Sequence, residues 1–429
     1  MNLKIKLGLY LFALVLATTA RADLTVVVRG GVSNAIPVAI VPFGWSGEGS
    51  IPMDIAAIVD ADLARSGRFA PMAREDMIDK PTSAAELDFS DWRLLGTEVV
   101  ALGSVSISAD GRYSVDFQLF DVVRGEQLVA YSIPALNNSL RAAAHRVSDL
   151  IYEAITGVRG AFSTRIAYIS ADDDAYELIV ADADGANQQV IVRSTEPLMS
   201  PAWSPDSRKL AYVAFENART AIYVQELATG QRQSVSSRPG VNGAPAWSPD
   251  GTRLAVALSD NWGNVDIHVI DLASGDTTRL TRHGAIDTEP AWSGDGSSIY
   301  FTSDRARGPQ IYSVELDGGK TKRVTFEGIY NARPRLAPDE QKIAVVHNDR
   351  GQYRIALVDL RSGATQVLTE GRLDESPSFA PNGSMIIYAT EDRGMGVLAA
   401  VSTDGRIHQQ LVSRIGDVRE PVWSPFAAQ

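Results

Sequence analysis

The chain has 429 residues, of which 45% are hydrophobic and 21% charged, so it is long enough for two or three well-packed domains and is not intrinsically disordered. It contains no cysteine, which excludes disulfide bonds, thiol catalysis and thiolate metal ligands. Its net charge of −12 argues against nucleic acid and anionic lipid as partners, so we expect any link to a membrane to come only through other proteins.

The first 22 residues have the pattern of a secretory signal peptide. Two lysines precede an apolar run at 7–16, and Ala-Arg-Ala at 20–22 is a typical cleavage sequence. The alternative is an uncleaved membrane anchor, but this apolar run is short for a span of the bilayer. Cleavage would leave a mature chain that begins at Asp23 with 37 basic and 52 acidic residues, a net charge of −15. An exported chain without cysteine is suited to the bacterial periplasm, where we expect this protein.

Residues 23–160 are predicted to form a small α/β domain, because apolar runs predict strands and a 3.6-residue period predicts helices. The predicted strands are 24–28, 36–43, 98–107 and 113–122, and the predicted helices are 54–67 and 138–155. Ser139 is a candidate N-cap of the second helix, and Gly157 is its predicted stop. A short connection at 158–163 leads into the second domain, residues 161–429.

The second domain is built on a short motif that recurs along the chain. One copy is PAWSPDG at 245–251, in which an aromatic residue is followed by turn-forming Pro, Asp and Gly. The aromatic or apolar residue recurs at intervals of 43 to 45 residues, at Trp203, Trp247, Trp292, Leu336, Phe379 and Trp423. A fixed period of this length, with short strands and turns in each unit, predicts a β-propeller.

The count of units predicts six blades of four strands each. The first set of strands, 164–192, has no motif before it, whereas the last motif, at 420–426, has no strands after it. These two halves complete each other, so Pro421–Pro425 should close the ring beside Thr164–Ser170 and remove an open sheet edge. The predicted fold is therefore an α/β N-terminal domain plus an all-β six-bladed β-propeller closed by the C-terminal strand.

No motif in the chain has the full pattern of a catalytic, metal or cofactor site, so we expect no enzyme and no cofactor. The aspartates of the repeated turns are attributed to turn formation. Asp172–Asp174 lacks the regular ligand spacing of a calcium loop, which favours a hairpin tip, and Gly318–Thr321 lacks the first glycine of a phosphate-binding loop. There is no G-x-S-x-G elbow. Structural roles are expected for the five scattered histidines, His145, His268, His283, His347 and His408.

The loops that lead into the motif strands are the candidate partner-binding site. Pseudo-symmetry places all six on one end of the propeller, around the central channel. They are 196–200, 241–244, 287–289, 331–333, 374–376 and 418–420. Leu198, Met199 and Val241 are expected to be exposed there beside charged side chains, and an apolar centre with a polar rim is typical of a protein-binding surface. Ordinary loop composition explains the same residues, so position alone leaves both interpretations open.

Several segments in a fixed order make the chain resemble a known family. They are AIVPFGW at 39–45, NGAPAWSPDG at 242–251, DTEPAW at 287–292, FTSDRARGPQIY at 301–312, DESPSFAPNG at 374–383, YATEDRGMGVL at 388–398 and the closing PVWSPF. Over the whole chain, this set resembles the TolB family of periplasmic propellers in the bacterial Tol-Pal envelope system. The resemblance implies a monomeric, non-enzymatic adaptor that supports outer-membrane integrity and constriction during cell division.

The resemblance also implies a binding site for the peptidoglycan-associated lipoprotein Pal on the propeller face, which colicin translocation domains would share. The implied Pal-binding residues are Leu198, Met199, Ser200, Val241, Asn242, Ala244, Asp287, Thr288, Glu289, Arg333, Glu375, Arg419 and Glu420. The family pattern has a histidine at the position of Val241. An apolar contact is expected to replace its hydrogen bond here.

The mature N-terminus is the second implied site, for the C-terminal domain of TolA. Its residues are Asp23, Leu24, Thr25, Val26, Val27, Val28, Arg29, Gly30, Gly31, Val32, Ser33 and Asn34. The alternation of Leu24, Val26 and Val28 suits the addition of a strand to a partner's sheet edge, and the two glycines would let the segment bend away. The family implies that this segment folds back when it is unused.

Two other functions are weighed against the adaptor. Propellers of prolyl-peptidase relatives gate hydrolysis, but they carry a separate hydrolase domain with a nucleophile elbow, and this sequence has no such elbow. A lectin-like propeller would bind the cell wall through aromatic platforms in its loops, and the six loops above contain none.

Overall fold

The computed structural model describes residues 25–29, 35–172, 175–259, 263–317, 319–412 and 416–427. They form a small α/β body and a six-bladed β-propeller, as the sequence predicts. The predicted signal peptide, Asp23, Leu24 and residues 30–34 lie outside these ranges. Within them, no helix combines the length and the apolar character that a membrane crossing needs.

A mixed sheet is the centre of the α/β body. Its strands lie side by side in the order Phe69–Pro71, Ile36–Ile40, Val99–Ile107, Tyr113–Asp121 and Glu126–Ala135, and Gly44–Trp45 also pairs with the third of them. The first three strands are parallel and the last three antiparallel. Helices Ile55–Arg65 and Leu140–Thr156 cover one face, and the short helix Phe89–Leu94 covers part of the other. Short 3-10 turns occur at Arg74–Asp76, Ala84–Glu86 and Asn137–Ser139.

Local chemistry sets the ends of the two long helices. Asp54 caps the first, because its Oδ1 accepts a 3.0 Å hydrogen bond from the backbone N–H of Ala57. Gly157 ends the second with a φ of 72°, which confirms the predicted stop. Ser139 stands at the N-cap position, but its hydroxyl bonds the backbone of Leu136 instead of the helix, so the predicted capping bond is not formed.

The propeller consists of six antiparallel blades, and the inner strand of each blade lies at the central channel. Blade 1 contains Arg165–Ala171, Tyr176–Asp182 and Gln189–Ser194. Blade 2 contains Leu198–Trp203, Lys209–Glu216, Arg219–Glu226 and Arg232–Ser236, and blade 3 contains Asn242–Trp247, Arg253–Ser259, Val265–Asp271 and Thr277–Arg279. Blade 4 contains Asp287–Trp292, Ser298–Ser303, Gln310–Glu315 and Lys322–Arg323, and blade 5 contains Asn331–Leu336, Lys342–Asp349, Gln352–Asp359 and Thr365–Val367. Blade 6 contains Glu375–Phe379, Met385–Asp392, Met395–Ser402 and His408–Val412.

The two ends of the chain complete blades 1 and 6. The C-terminal strand Asp417–Trp423 is the inner strand of blade 1 and pairs antiparallel with Arg165–Ala171, which confirms the predicted closure. The N-terminal strand Thr25–Arg29 adds a fifth strand to blade 6, antiparallel to His408–Val412. The N-terminal segment therefore covers the outer edge of blade 6.

The repeated tryptophans explain the period of the sequence. The indole N–H of Trp247 donates to the backbone carbonyl of Ala202, on the inner strand of the preceding blade, at 3.1 Å. Trp292 donates to Ala246 at 3.0 Å in the same way. The indoles of Trp247 and Trp292 therefore bind blades 3 and 4 to the blades before them. Leu336 and Phe379, at the same position of blades 5 and 6, have no indole N–H to donate.

The aspartates of the motif form the turns that follow, as predicted. Asp250 Oδ1 accepts hydrogen bonds from the Ser248 hydroxyl at 2.5 Å and from the backbone N–H of Thr252 at 3.0 Å. Hydrogen bonds from Ser248 and Thr252 stabilise the charged carboxylate and lower the pKa of Asp250 to about 2. Gly251 follows with a φ of 71°, a conformation that favours glycine.

The α/β body packs against one end of blades 1 and 6. Gln409 Nε2 donates to the carbonyl of Arg65 at 2.6 Å, and Asn382 Nδ2 donates to the carbonyl of Arg159 at 3.0 Å. Asn382 lies in the motif turn of blade 6, so this is the end of the propeller that carries the motif turns. The α/β body therefore leaves the opposite end of the channel uncovered.

Candidate partner-binding face

The loops that lead into the six inner strands lie together at the uncovered end of the propeller. Because the strands of a blade alternate in direction, this end also carries the hairpins that join the second and third strands of each blade. We call this end the loop face. It is the surface that the sequence singles out for partner binding.

Each inner strand has a bulge where it reaches the channel. The pairing register of all six breaks around a proline, and the residue before that proline has a positive φ, which non-glycine residues rarely adopt. The six residues are Ser200, Ala244, Glu289, Arg333, Ser376 and Glu420, with φ from 48° to 55°. All of them line one small cavity in the channel. The bulges thus aim equivalent positions of every blade at the propeller axis.

A network of charges crosses the channel at this level. Arg333 Nε lies 3.0 Å from Glu289 Oε1, and Arg333 Nη2 lies 3.5 Å from Glu420 Oε1. Arg333 Nη1 also donates to the Ser376 hydroxyl, and the Glu420 carboxylate accepts from the backbone N–H of Ser200. Five of the six blades are therefore joined through Ser200, Glu289, Arg333, Ser376 and Glu420, of which all but Ser376 are predicted contact residues.

Arg333 holds the negative charges of this network together. Burial lowers the pKa of its guanidinium, but the carboxylates of Glu289, Glu420 and Glu375 raise it by more, so the pKa ends above its ordinary value. The side chains of Glu289, Arg333 and Glu420 are between 13% and 28% exposed. They consequently form the floor of the loop face, below its rim.

Three predicted contact residues are buried instead of exposed, each at the first position of an inner strand. Leu198 is 3% exposed and packs in the core of blade 2, so the expectation that it lies on the surface is wrong. Asn242 is fully buried, and its Nδ2 donates to the carbonyl of Arg238 at 2.7 Å. Asp287 is fully buried and forms an ion pair of 2.6 Å with Arg305. These side chains hold the loops in place from inside.

Exposed apolar side chains of blades 2 to 6 lie on the loop face. Met199 and Val241, which the sequence predicts there, are 39% and 44% exposed. Five others were not predicted: Ile286, Phe326, Ile329, Leu373 and Met395. Every blade from 2 to 6 contributes at least one of these seven residues, which we call the apolar ring. Several exposed apolar side chains at one end of a protein are typical of a site of protein contact.

The sequence repeat predicts three residues of the apolar ring when its units are aligned. Val241, Ile286 and Leu373 each stand three residues before the positive-φ residue of their inner strand. Alignment of the six units on that residue places an apolar side chain at the same position of blades 3, 4 and 6. Ile286 and Leu373 each lie one residue before the predicted loop, so the loop bounds excluded them.

Two of the remaining predicted residues, Glu375 and Arg419, line a cleft of about 800 Å³ beside blades 1, 2 and 6. Met199, Met395 and Arg419 line its wall together with the half-buried Glu375. Arg419 has a side chain that is 62% exposed and pairs with Asp417. Thr288 and Ala244 are half-buried in the inner strands of blades 4 and 3.

Thr25–Arg29, a part of the predicted N-terminal site, lies at the outer edge of blade 6. Thr25 stands opposite Val412, and Arg29 stands opposite His408, in an antiparallel ladder of five pairs. The predicted site residues Asp23, Leu24, Gly30, Gly31, Val32, Ser33 and Asn34 lie outside the described residues. The described part adds a strand to a sheet edge of its own chain, which is the mode of contact predicted for a partner.

The aspartates at 172–174 and the five histidines are the other residues that the sequence analysis considered as sites. All of those described, except His145, form hydrogen bonds typical of a structural role. Asp172 accepts from the backbone N–H of Ala175 at 2.7 Å between two strands of blade 1, while Asp173 and Asp174 lie outside the described residues. The ring nitrogens of His268, His347 and His408 contact backbone or amide oxygens, and His283 accepts from a backbone N–H. His145 differs, because it lies in a buried cluster with Asp62 and Asp184.

Comparison with known proteins identifies both parts of the chain. The profile of the TolB beta propeller domain matches residues 152–427, and that of the TolB amino-terminal domain matches residues 24–128. Tol-Pal system protein TolB of Nitrosococcus oceani is 54% identical over 96% of both chains, and that of Thioalkalivibrio sulfidiphilus is 53% identical over 97% of both. The crystal structure of TolB from Acinetobacter baumannii superimposes with a TM-score of 0.87 at 41% identity, covering 94% of this chain and 100% of that one.

Proposed function

This chain belongs to the TolB family, and from that premise we propose that it is a periplasmic, non-enzymatic adaptor of the Tol-Pal system. Its loop face binds the lipoprotein Pal, and its mature N-terminus binds the C-terminal domain of TolA. Through these two contacts it supports outer-membrane integrity and constriction during cell division. Colicin translocation domains compete with Pal for the same face.

The apolar ring is the observation that carries the Pal assignment. Exposed apolar side chains from five successive blades lie on the end that the α/β body leaves free. A preformed face needs little ordering when it binds, so burial of the ring converts efficiently into affinity. The charge network in the floor supplies polar groups that set the orientation of the partner.

The proposed contacts combine the predicted residues that reach the surface with those that the structure adds. They are Met199, Val241, Ala244, Thr288, Glu375 and Arg419 from the sequence, with Ile286, Phe326, Ile329, Leu373 and Met395 from the structure. The channel residues Ser200, Glu289, Arg333 and Glu420 form the floor. The buried Leu198, Asn242 and Asp287 act only by holding the loops.

Calorimetric titration of residues 23–429 with the soluble domain of the cognate Pal tests this face. Ile286→Asp and Ile329→Asp should each weaken binding at least about ten-fold, because an apolar contact would have to bury a carboxylate. Val123→Asp is the matched control, since Val123 is an exposed apolar residue of the α/β body, and it should bind like the wild type. Absence of binding by the wild type would contradict the partner, and full binding by both isoleucine variants would contradict the face.

The N-terminal proposal rests on the strand Thr25–Arg29, which already forms a β-ladder with a sheet edge. A TolA domain that offers such an edge can take up the same backbone hydrogen bonds in place of blade 6. Deletion of residues 23–34 should abolish binding of the TolA C-terminal domain and leave Pal binding detectable. A deletion variant that still binds the TolA domain would contradict the assignment.

A further inference from the structure

A buried cluster of charged side chains joins the α/β body to blade 1, at the end of the propeller opposite the loop face. Helix Ile55–Arg65 supplies Asp62, helix Leu140–Thr156 supplies His145, and a turn of blade 1 supplies Asp184. His145 is 2% exposed. Its Nδ1 lies 2.6 Å from Asp62 Oδ2, and its Nε2 lies 3.8 Å from Asp184 Oδ2. The imidazole therefore stands between a carboxylate of its own domain and a carboxylate of the propeller.

Two guanidinium groups complete the cluster. Arg65 Nη2 lies 2.9 Å from Asp62 Oδ1. Arg141 forms an ion pair with Asp184, and its Nε lies 3.4 Å from the carboxylate of Asp182, in the same turn of blade 1. Three carboxylates thus face two guanidinium groups, and only a protonated His145 makes the cluster electrically neutral.

The hydrogen bonds of Ser148 and Asp149 are consistent with a protonated His145 facing an ionised Asp62. The Ser148 hydroxyl donates to Asp62 Oδ2 at 2.7 Å, so Asp62 is held as an acceptor that faces His145 Nδ1. Asp149, on the same helix, is turned away to the linker, where it accepts from the backbone N–H of Phe162 at 2.7 Å. His145 Nε2 has no hydrogen-bond acceptor within bonding distance, so a proton on that nitrogen would point to Asp184.

We propose that His145 is a pH-sensitive clasp between the two domains: its imidazolium binds Asp62 on one side and attracts Asp184 of blade 1 on the other, and loss of its proton loosens the contact. The geometry alone favours this role, because Asp62 and His145 belong to two packed helices of the α/β body, whereas Asp184 belongs to blade 1 and reaches them only at the domain boundary. A proton fits the site better than a metal ion, since Arg65 and Arg141 already bind the carboxylate oxygens.

The direction of the pH effect follows from the surroundings of the imidazole. Burial lowers the pKa of His145, but the hydrogen bond to Asp62 and the charges of Asp62 and Asp184 raise it by more, so it lies above the ordinary value of 6.5. A raised pKa in the folded state means that the contribution to stability is complete below pH 6.5 and is lost as the pH rises through the folded-state pKa. The domains are therefore held together in acid and loosen in mild alkali.

Histidine resonances of the mature chain, followed by NMR from pH 5.5 to 9, test the clasp. The five histidines can be assigned by replacing His268, His283, His347 and His408 one at a time. The titration midpoint of His145 should lie above pH 6.5 and should fall in Asp184→Asn, although residue 184 belongs to the other domain. Asp276→Asn is the matched control, because Asp276 is an exposed aspartate in a turn of blade 3 and should leave the midpoint unchanged. A midpoint at or below 6.5, or one that Asp184→Asn does not lower, would overturn the proposal.

A distance measurement tests whether the proton controls the domain contact. Since the chain has no cysteine, spin labels on Arg124→Cys in the α/β body and Arg350→Cys in blade 5 report only the distance between the domains. The distance distribution should broaden between pH 6 and pH 8.5 in the wild type and be broad at both values in His145→Gln. Adding zinc ion or a chelator should change neither result. An unchanged distribution in the wild type, or one that responds to the metal alone, would refute the clasp.

Discussion

Arg333 illustrates what a single side chain contributes to the loop face. The sequence places it among the contact residues, but its guanidinium binds Glu289, Glu420 and the Ser376 hydroxyl inside the channel. The identity of the residue was predictable from its place in the repeat. Its partners were not, because they come from three other blades, 43 to 87 positions along the chain. Only the closed propeller brings those positions together.

Replacement of Arg333 with methionine should lower the free energy of unfolding by about 3 kcal/mol, because Glu289 and Glu420 would be left without their shared counter-charge. Arg350→Met is the control, since the side chain of Arg350 is 95% exposed and should contribute almost nothing. Chemical unfolding of both variants in the same buffer measures the difference. Equal stability of the two variants would show that the network does not hold the blades together.

Asp250 gives a second test at this scale, through the pH dependence of stability. Its folded-state pKa of about 2 lies below the unfolded value, so its contribution is present above about pH 4 and is lost as the pH falls toward 2. The difference in melting temperature between the wild type and Asp250→Asn should therefore be largest above pH 4 and shrink in acid. A difference that is constant from pH 6 to pH 2.5 would contradict the assigned turn chemistry.

At the scale of elements, the inner strands show how far a repeat predicts structure. The period places Trp203, Trp247 and Trp292 correctly, because each must reach the backbone of the preceding blade. The period does not show that each strand has a bulge before its proline, which changes the alternation of side chains. Leu198 is predicted at the surface because its sequence reads as a loop, but it is the first residue of the inner strand and lies in the core of blade 2.

Trp247→Phe should cost about 1 kcal/mol of stability beyond its loss of packing, because the carbonyl of Ala202 loses its indole donor. Trp45→Phe is the matched control. The indole N–H of Trp45 is buried without a hydrogen-bond partner, so its removal should cost little. Thermal unfolding of the two variants provides the comparison, and a larger loss for Trp45→Phe would refute the account of the repeated tryptophans.

At the scale of the whole molecule, the sequence predicts the propeller better than the α/β body. Six blades and the closing strand follow from counting units, since the two incomplete units can only complete each other. The edge strands Phe69–Pro71 and Glu126–Ala135 were not predicted, because an edge strand that is partly exposed has no regular alternation of buried residues. The cluster around His145 was also missed, since Asp62 lies 83 residues away and Asp184 belongs to the other domain.

Hydrogen–deuterium exchange of the mature chain, with and without the soluble domain of Pal, shows directly which end of the propeller binds the partner. We expect slower exchange in the loops before the inner strands, at 195–199, 237–241, 282–286, 326–330 and 370–374, because these carry residues of the apolar ring. The helices of the α/β body and the motif turns should exchange at unchanged rates. Protection confined to the α/β body or to the motif-turn end, at saturating Pal, would contradict the assignment of the loop face.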